Sequence, residues 1–230
     1  MPGDRLFRDR RHAGRVLASA LGRHAARHDV VVLALPRGGV PVAFEVAERL
    51  GAPLDVFVVR KLGAPGRPEL AMGALASGGV RVLNHDVLSV LRIPESAVAS
   101  VVAAEQVELV RREDVYRGGR PPLPVSGRTV ILIDDGLATG ATMRAAVAGL
   151  RLRGPAQIIV AVPIAASQVC ADLADQVDDI VCAVTPEPFR AVGAWYDDFS
   201  QTGDEEVRQL LVAADRRCAD ARLAAERPVA

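Results

Sequence analysis

Residues 130–142 read Val-Ile-Leu-Ile-Asp-Asp-Gly-Leu-Ala-Thr-Gly-Ala-Thr, and their reading decides the fold. Residues 130–133 form an apolar, β-branched run without alternation, the pattern of a short strand covered on both faces. After Thr142 the apolar residues recur at helical spacing. The loop between them therefore stands at the carboxyl end of a strand and opens into a helix. Open α/β sheets bind ligands at that point, and the unpaired N–H groups and positive dipole end of the helix favour an anion there. A phosphate monoester fits. Asp134 and Asp135 stand at the rim, where carboxylates can accept hydrogen bonds from neighbouring hydroxyls, and both are expected to face solvent.

Working outward, residues 12–27 have helical periodicity, 30–35 read as an apolar strand, 41–50 as a helix and 54–59 as a second strand. The Gly- and Pro-rich run 60–69 predicts irregular structure, and 71–83 a return strand interrupted at Gly78 and Gly79, together a mobile loop on a long hairpin. Residues 94–116 read as one charged, alanine-rich helix inserted before the 130–133 strand. Beyond it come a helix at 143–150, a strand at 158–163, a helix at 168–174 and a strand at 180–184. Such alternation implies a mostly parallel central sheet flanked by helices. At residue 186 the composition changes: four of the eight aromatics fall within 189–199, and a polar helix runs from 204 to about 225. The expected division is a core over 1–185, with the helical insertion at about 94–117, and a C-terminal cap over 186–230 that packs with 1–28.

Composition narrows the function. The 28 basic and 28 acidic residues cancel, so no broad field draws nucleic acid or an anionic membrane, and any anion site must be local. The N-terminal residues lack a signal-peptide pattern, and there is no apolar run of about 18 residues to span a bilayer, so a cytoplasmic protein is expected. Cys170, Cys182 and Cys218 share no C-x-x-C spacing and are read as inert thiols in a reducing compartment. His24 and His28 stand four apart without a third ligand nearby, so no structural metal is assigned. Of the 28 cations only Lys61 is a lysine, a compact and mobile point charge among planar arginine forks.

A second loop supports the first. Leu-Pro-Arg-Gly-Gly-Val at 35–40 follows the first strand and opens a helix, and Gly38 and Gly39 permit a backbone that brings amides near an anion. There is no G-x-x-x-x-G-K-[ST] and no G-x-G-x-x-G after a strand, and the acid pair lies too late in the chain for a receiver-type pocket. The 130–142 stretch instead resembles the PRPP-binding signature of type I phosphoribosyltransferases, strongly over residues 30–165 and weakly at both ends.

The resemblance implies the type I phosphoribosyltransferase fold: an α/β core with a flexible hairpin loop, a helical insertion and a C-terminal hood. It implies transfer of a 5-phosphoribosyl group from PRPP to a nucleobase or related nitrogen acceptor, with Mg²⁺ held through PRPP and few direct protein ligands. Asp134 and Asp135 would take the ribose diol, with Gly136, Ala138, Thr139, Gly140, Ala141 and Thr142 around the 5′-phosphate. Arg37, Gly38, Gly39, Arg60 and Lys61 would surround the pyrophosphate, the bond to inspect for unusual geometry being Arg37–Gly38. Phe189, Trp195 and Tyr196 would form the hood over the acceptor, or instead pin the cap to the core or form a dimer seam. Arg67 and Glu69 would belong to a closing lid, or be ordinary solvated residues. At position 138 hypoxanthine-guanine enzymes carry an aspartate and this chain has Ala138, which argues against a 6-oxopurine acceptor. Competing readings are a non-catalytic PRPP sensor and a hydrolase or phosphorylase using the same pocket; a homodimer fits any of them.

Overall fold

The computed structural model describes residues 5–225. In chain order its elements are α1 (Arg10–Ala20), β1 (Val30–Ala34), α2 (Gly39–Leu50), β2 (Leu54–Val56), β3 (Val59–Ala64), β4 (Arg67–Ala76), β5 (Val80–Leu83), α3 (His85–Val90), α4 (Glu95–Arg117), β6 (Thr129–Ile133), α5 (Ala141–Arg151), β7 (Gln157–Ile164), α6 (Ser167–Ala174), β8 (Asp179–Val184) and α7 (Asp204–Ala225). The central sheet has five strands in the order β2-β1-β6-β7-β8, and every neighbouring pair is parallel. A separate antiparallel sheet holds β3, β4 and β5.

Strands without polar alternation end up covered on both faces because successive side chains point to opposite sides. Val30, Val32, Ile131, Ile133 and Ile159 join one core with α1, α2 and α7. Val31, Leu33, Val130, Leu132 and Val160 join the other with α5 and α6. Helix α1 lies against α2 through Gly14, where a Cβ would stand 2.5 Å from the Val42 carbonyl oxygen. None of the described helices is long and apolar enough to cross a membrane.

Several boundaries differ from the sequence reading. The first helix stops at Ala20 and gives way to a 3₁₀ turn, Gly22–His24, after which Ala26 takes a left-handed conformation and donates its N–H to Leu50 O at 2.9 Å. The expected single strand over 54–59 is two. Phe57 N–H still donates to Ala34 O in the central sheet, at 2.9 Å, whereas Val58 N–H donates to Ser77 Oγ at 2.8 Å and leads the chain into the second sheet.

The run 60–69 is regular, not irregular. Pro65 and Gly66 form a two-residue turn, with Gly66 at φ +74°, and β3 and β4 pair on either side of it. Register shifts beside Gly63 absorb Pro68, and a Cβ on Gly63 would stand 2.7 Å from the Pro68 carbonyl oxygen. Helix α3, which the sequence reading did not foresee, is capped by Asn84, whose side chain accepts the Val87 N–H at 3.2 Å. The three thiols also need correction. Cys170 on α6 and Cys182 on β8 are joined by a disulfide because the helix packs directly over that strand, and Cys218 is free.

The N-terminal segment crosses the molecule. Phe7 pairs with Tyr196 as a parallel bridge, Leu6 and Phe7 donate to Trp195 O at 3.0 Å, and Asp197 donates to Phe7 O at 2.8 Å.

Candidate active site

The order of the strands reverses between β1 and β6: from β1 the connection runs to β2 on one side, while β6 lies on the other. The crevice above such a switch point is where open α/β sheets hold ligands. Two loops meet there. Leu35 N–H donates to Ile133 O at 2.8 Å, so the loop leaving β1 lies directly on the loop leaving β6.

The first loop enters α2 through Gly38; the Gly39 and Val40 N–H groups donate to Leu35 O and Arg37 O, both at 3.1 Å, and Pro41 has no N–H to satisfy. The peptide bond Pro36–Arg37 is cis, one bond earlier than the one singled out from the sequence. Gly38 has an ordinary helical φ of −59°, so its need for glycine comes from crowding, not from an unusual backbone. A Cβ on Gly38 would stand 2.7 Å from Asp135 Cγ, and one on Gly39 would stand 2.8 Å from Ile133 O and 3.0 Å from Asp134 Cα. Only two glycines let this loop touch the acid pair.

In the second loop Leu137 forms a bridge with Ala165, donating to Ile164 O at 2.9 Å. Gly140, at φ +68°, turns the chain into α5, and Thr139 Oγ1 accepts the Ala141 N–H at 3.5 Å. Ala138, Thr139, Ala141 and Thr142 are exposed, leaving the first turn of α5 open to an anion. Gly136 lies beneath the hood; a Cβ there would stand 2.5 Å from Val192 Cγ1.

The acids are half-buried, not at an open rim as expected. Asp134 Oδ1 accepts the Asp135 N–H at 2.8 Å. Asp135 Oδ2 accepts from Arg10 Nε at 2.8 Å, and the side chains of this pair are only 12% and 16% exposed for Arg10 and Asp135. The Tyr196 hydroxyl donates to the Asp135 carbonyl oxygen at 2.6 Å. Burial pushes the Asp134 carboxyl well above its ordinary range, and the neighbouring Asp135 charge adds to this. Burial also raises Asp135, against the pull of Arg10. Burial likewise raises the Tyr196 phenol, which stays protonated and able to donate.

Arg10 was not among the residues singled out. It stands in the first turn of α1, where the helix dipole disfavours a cation. Its guanidinium lies 3.9 Å from the centroid of the Phe199 ring and donates to Ser200 O at 2.6 Å. A basic residue just after the N-cap Asp9 was the available signal, and its partners lie 125 and 190 residues away.

The expected pyrophosphate cations do not converge. Arg37 reaches Asp204 at the start of α7, at 3.5 Å. Arg60 and Lys61 are successive residues of β3 and so point to opposite faces. Arg60 turns to Glu105 on α4 at 2.7 Å, whereas Lys61 is exposed and meets Glu69 across the hairpin at 3.1 Å. Of the hood aromatics, Tyr196 is 2% exposed and packs between Phe7 and Phe199, at centroid distances of 5.3 and 5.0 Å, so it offers no face to a base. Phe189 and Trp195 are partly buried in the same cluster, which rests on Phe7, Ala13 and Ile164.

Comparison with known proteins agrees with this geometry. The family model of the phosphoribosyl transferase domain matches residues 9–187. The chain belongs to the phosphoribosyl transferase domain family. A protein of Mycobacterium tuberculosis H37Rv named as a phosphoribosyl transferase is 48% identical over 217 residues, which cover 94% of this chain and 49% of that relative. The chain thus spans about half the length of that curated relative. The bifunctional protein PyrR of Roseiflexus is 34% identical over 124 residues, covering 53% of this chain and 62% of that relative. The crystal structure of TT1426 from Thermus thermophilus superposes with a TM-score of 0.80 at 45% identity, covering 90% of this chain and 98% of that one. The phosphoribosyl transferase match takes in Arg10 and both loops and stops before Phe189, so the aromatic run lies outside what the family model describes.

Proposed function

We propose that the chain transfers a 5-phosphoribosyl group from PRPP to a nitrogen acceptor such as a nucleobase, with release of pyrophosphate. The reading rests on one observation: two helix-opening loops, 35–39 and 134–140, touch at a sheet switch point with an acid pair between them. The 5′-phosphate would sit at the N-terminus of α5, the diphosphate at that of α2, and the ribose hydroxyls at Asp134 and Asp135. As the bond from C1 to the diphosphate oxygen breaks, its electron pair leaves with the diphosphate while a nitrogen lone pair forms the new bond to C1. The Arg37 and Gly38 N–H groups just before α2, together with the positive end of that helix, would take up charge on the leaving group, and the carboxylates would favour the positive ribose. Lys61 would add its charge if the hairpin closes on the crevice.

Mg²⁺ fits the donor set, since carboxylate oxygens are its preferred protein ligands and it keeps substrate phosphate and water as the others. It would be held through PRPP and water, with Asp134 and Asp135 nearby at the ribose hydroxyls, and would supply charge neutralisation for the departing diphosphate. Ala138 provides no proton-transfer group at the acceptor, and Phe189 and Trp195 are the hood residues left to cover a base. Action in the cytoplasm belongs to the same proposal, and there Cys170 and Cys182 would be held as thiols.

The test is incubation with PRPP, Mg²⁺ and a panel of nucleobases and amines, followed by assay of pyrophosphate. Release that depends on one acceptor supports a transferase. PRPP binding without release makes the chain a sensor, and no affinity for PRPP overturns the reading.

A further inference from the structure

We propose that Arg10 is the positioning residue of the ribose site, clamping Asp135 to the hood so that the carboxylate is held in place for a vicinal diol. The inference rests on the phosphoribosyl reading above and extends it to a residue at the other end of the chain. Three groups from two segments converge on one guanidinium: Asp135 Oδ2 at 2.8 Å, the Phe199 ring at 3.9 Å and the Ser200 carbonyl at 2.6 Å. A third segment, the loop leaving β1, comes so near that a Cβ on Gly38 would lie 3.1 Å from Arg10 Nε.

A planar fork can serve an in-line acceptor, a second acceptor and an aromatic face together, which an ammonium cannot. Arg10 binds one carboxylate oxygen and leaves the other for a ligand. Hood attachment does not require it, since Phe7, the Trp195 carbonyl and the Tyr196 hydroxyl already tie the hood to the core. Among the described residues, the other ionisable groups beside Asp135 are Asp134 on the same loop and Tyr196 from the hood, and the β1 loop contributes uncharged Gly38 there.

The probes are ribose 5-phosphate and 2-deoxyribose 5-phosphate, titrated calorimetrically into wild type, Arg10→Ala and Arg10→Lys, with melting curves to confirm folding. Wild type should prefer the sugar with the intact diol by roughly tenfold or more, the worth of a hydrogen bond to a charged group. Arg10→Ala should bind both sugars equally, with affinity for the deoxy sugar unchanged, and Arg10→Lys should fall between. If Arg10→Ala does not fold, the lysine variant decides. A folded variant that keeps the wild-type ratio overturns the proposal. Wild type that binds both sugars equally overturns the diol role of the acids and this proposal with it. Absence of affinity for either sugar in wild type overturns the phosphoribosyl reading itself, before any variant is considered.

Discussion

Asp134 places a carboxyl group where the fold disfavours its charge. Burial holds its folded pKa above the ordinary value of 3.8, so the folded protein keeps a proton over a pH range in which the unfolded chain has lost it. Stability is then complete below that ordinary value and declines as pH rises through the folded value. Asp134→Asn keeps an oxygen to accept the Asp135 N–H and removes the charge. We expect it to raise the melting temperature at pH 7, by about 2–4 °C for each kcal/mol relieved, while weakening ribose 5-phosphate binding toward that of the 2-deoxy sugar. A lower melting temperature at pH 7 than at pH 5, relative to wild type, would contradict the burial argument. The acid pair was legible in the sequence because an apolar strand followed by two carboxylates is a local pattern. Its burial was not, since Arg10 and Tyr196 reach it from 125 and 61 residues away.

The hairpin of β3 and β4 shows how local composition can mislead about an element. Pro65, Gly66 and Pro68 suggest irregular chain, yet here they make a turn and a pair of register shifts within a regular ladder. Its Lys61–Glu69 pair is exposed and should add little to stability. Lys61→Ala should therefore leave the melting curve unchanged and slow pyrophosphate release more than it weakens PRPP binding; an unchanged rate would return Lys61 to the status of a solvated loop residue. Helix α6 and strand β8 make a second element-level prediction. The Cys170–Cys182 link closes a short loop, so reduction or Cys182→Ser should lower unfolding stability by up to about 3 kcal/mol, measured by denaturant titration with and without reductant. Strand periodicity gave no hint of that pairing, because it depends on which face of α6 meets the sheet.

Across the molecule, the doubly covered parallel sheet followed from strands without polar alternation, and the helix inserted at 95–117 from its alanine-rich charged run. The hood did not follow, because its attachment is a pairing of residues 6–8 with 195–198 that no short-range pattern encodes. Phe7→Ala should cost about 3–5 kcal/mol in stability, as for other buried aromatics, and release the hood. Trp195 is the only tryptophan in the chain, so its emission reports the change directly. We expect a shift to longer wavelength together with weaker ribose 5-phosphate binding; an unshifted spectrum would mean that Phe7 does not anchor the hood.

The bridge between Phe7 and Tyr196 also has a consequence for biosynthesis. A ribosome delivers Phe7 and Arg10 first, yet their partners at 195–200 emerge only after every strand of the central sheet has been translated. Through most of translation the nascent polypeptide must carry an aromatic side chain with no berth and a guanidinium without its hood contacts at Phe199 and Ser200. Ligand capture should therefore switch on in stalled translation products only once the chain through Ser200 has cleared the ribosome.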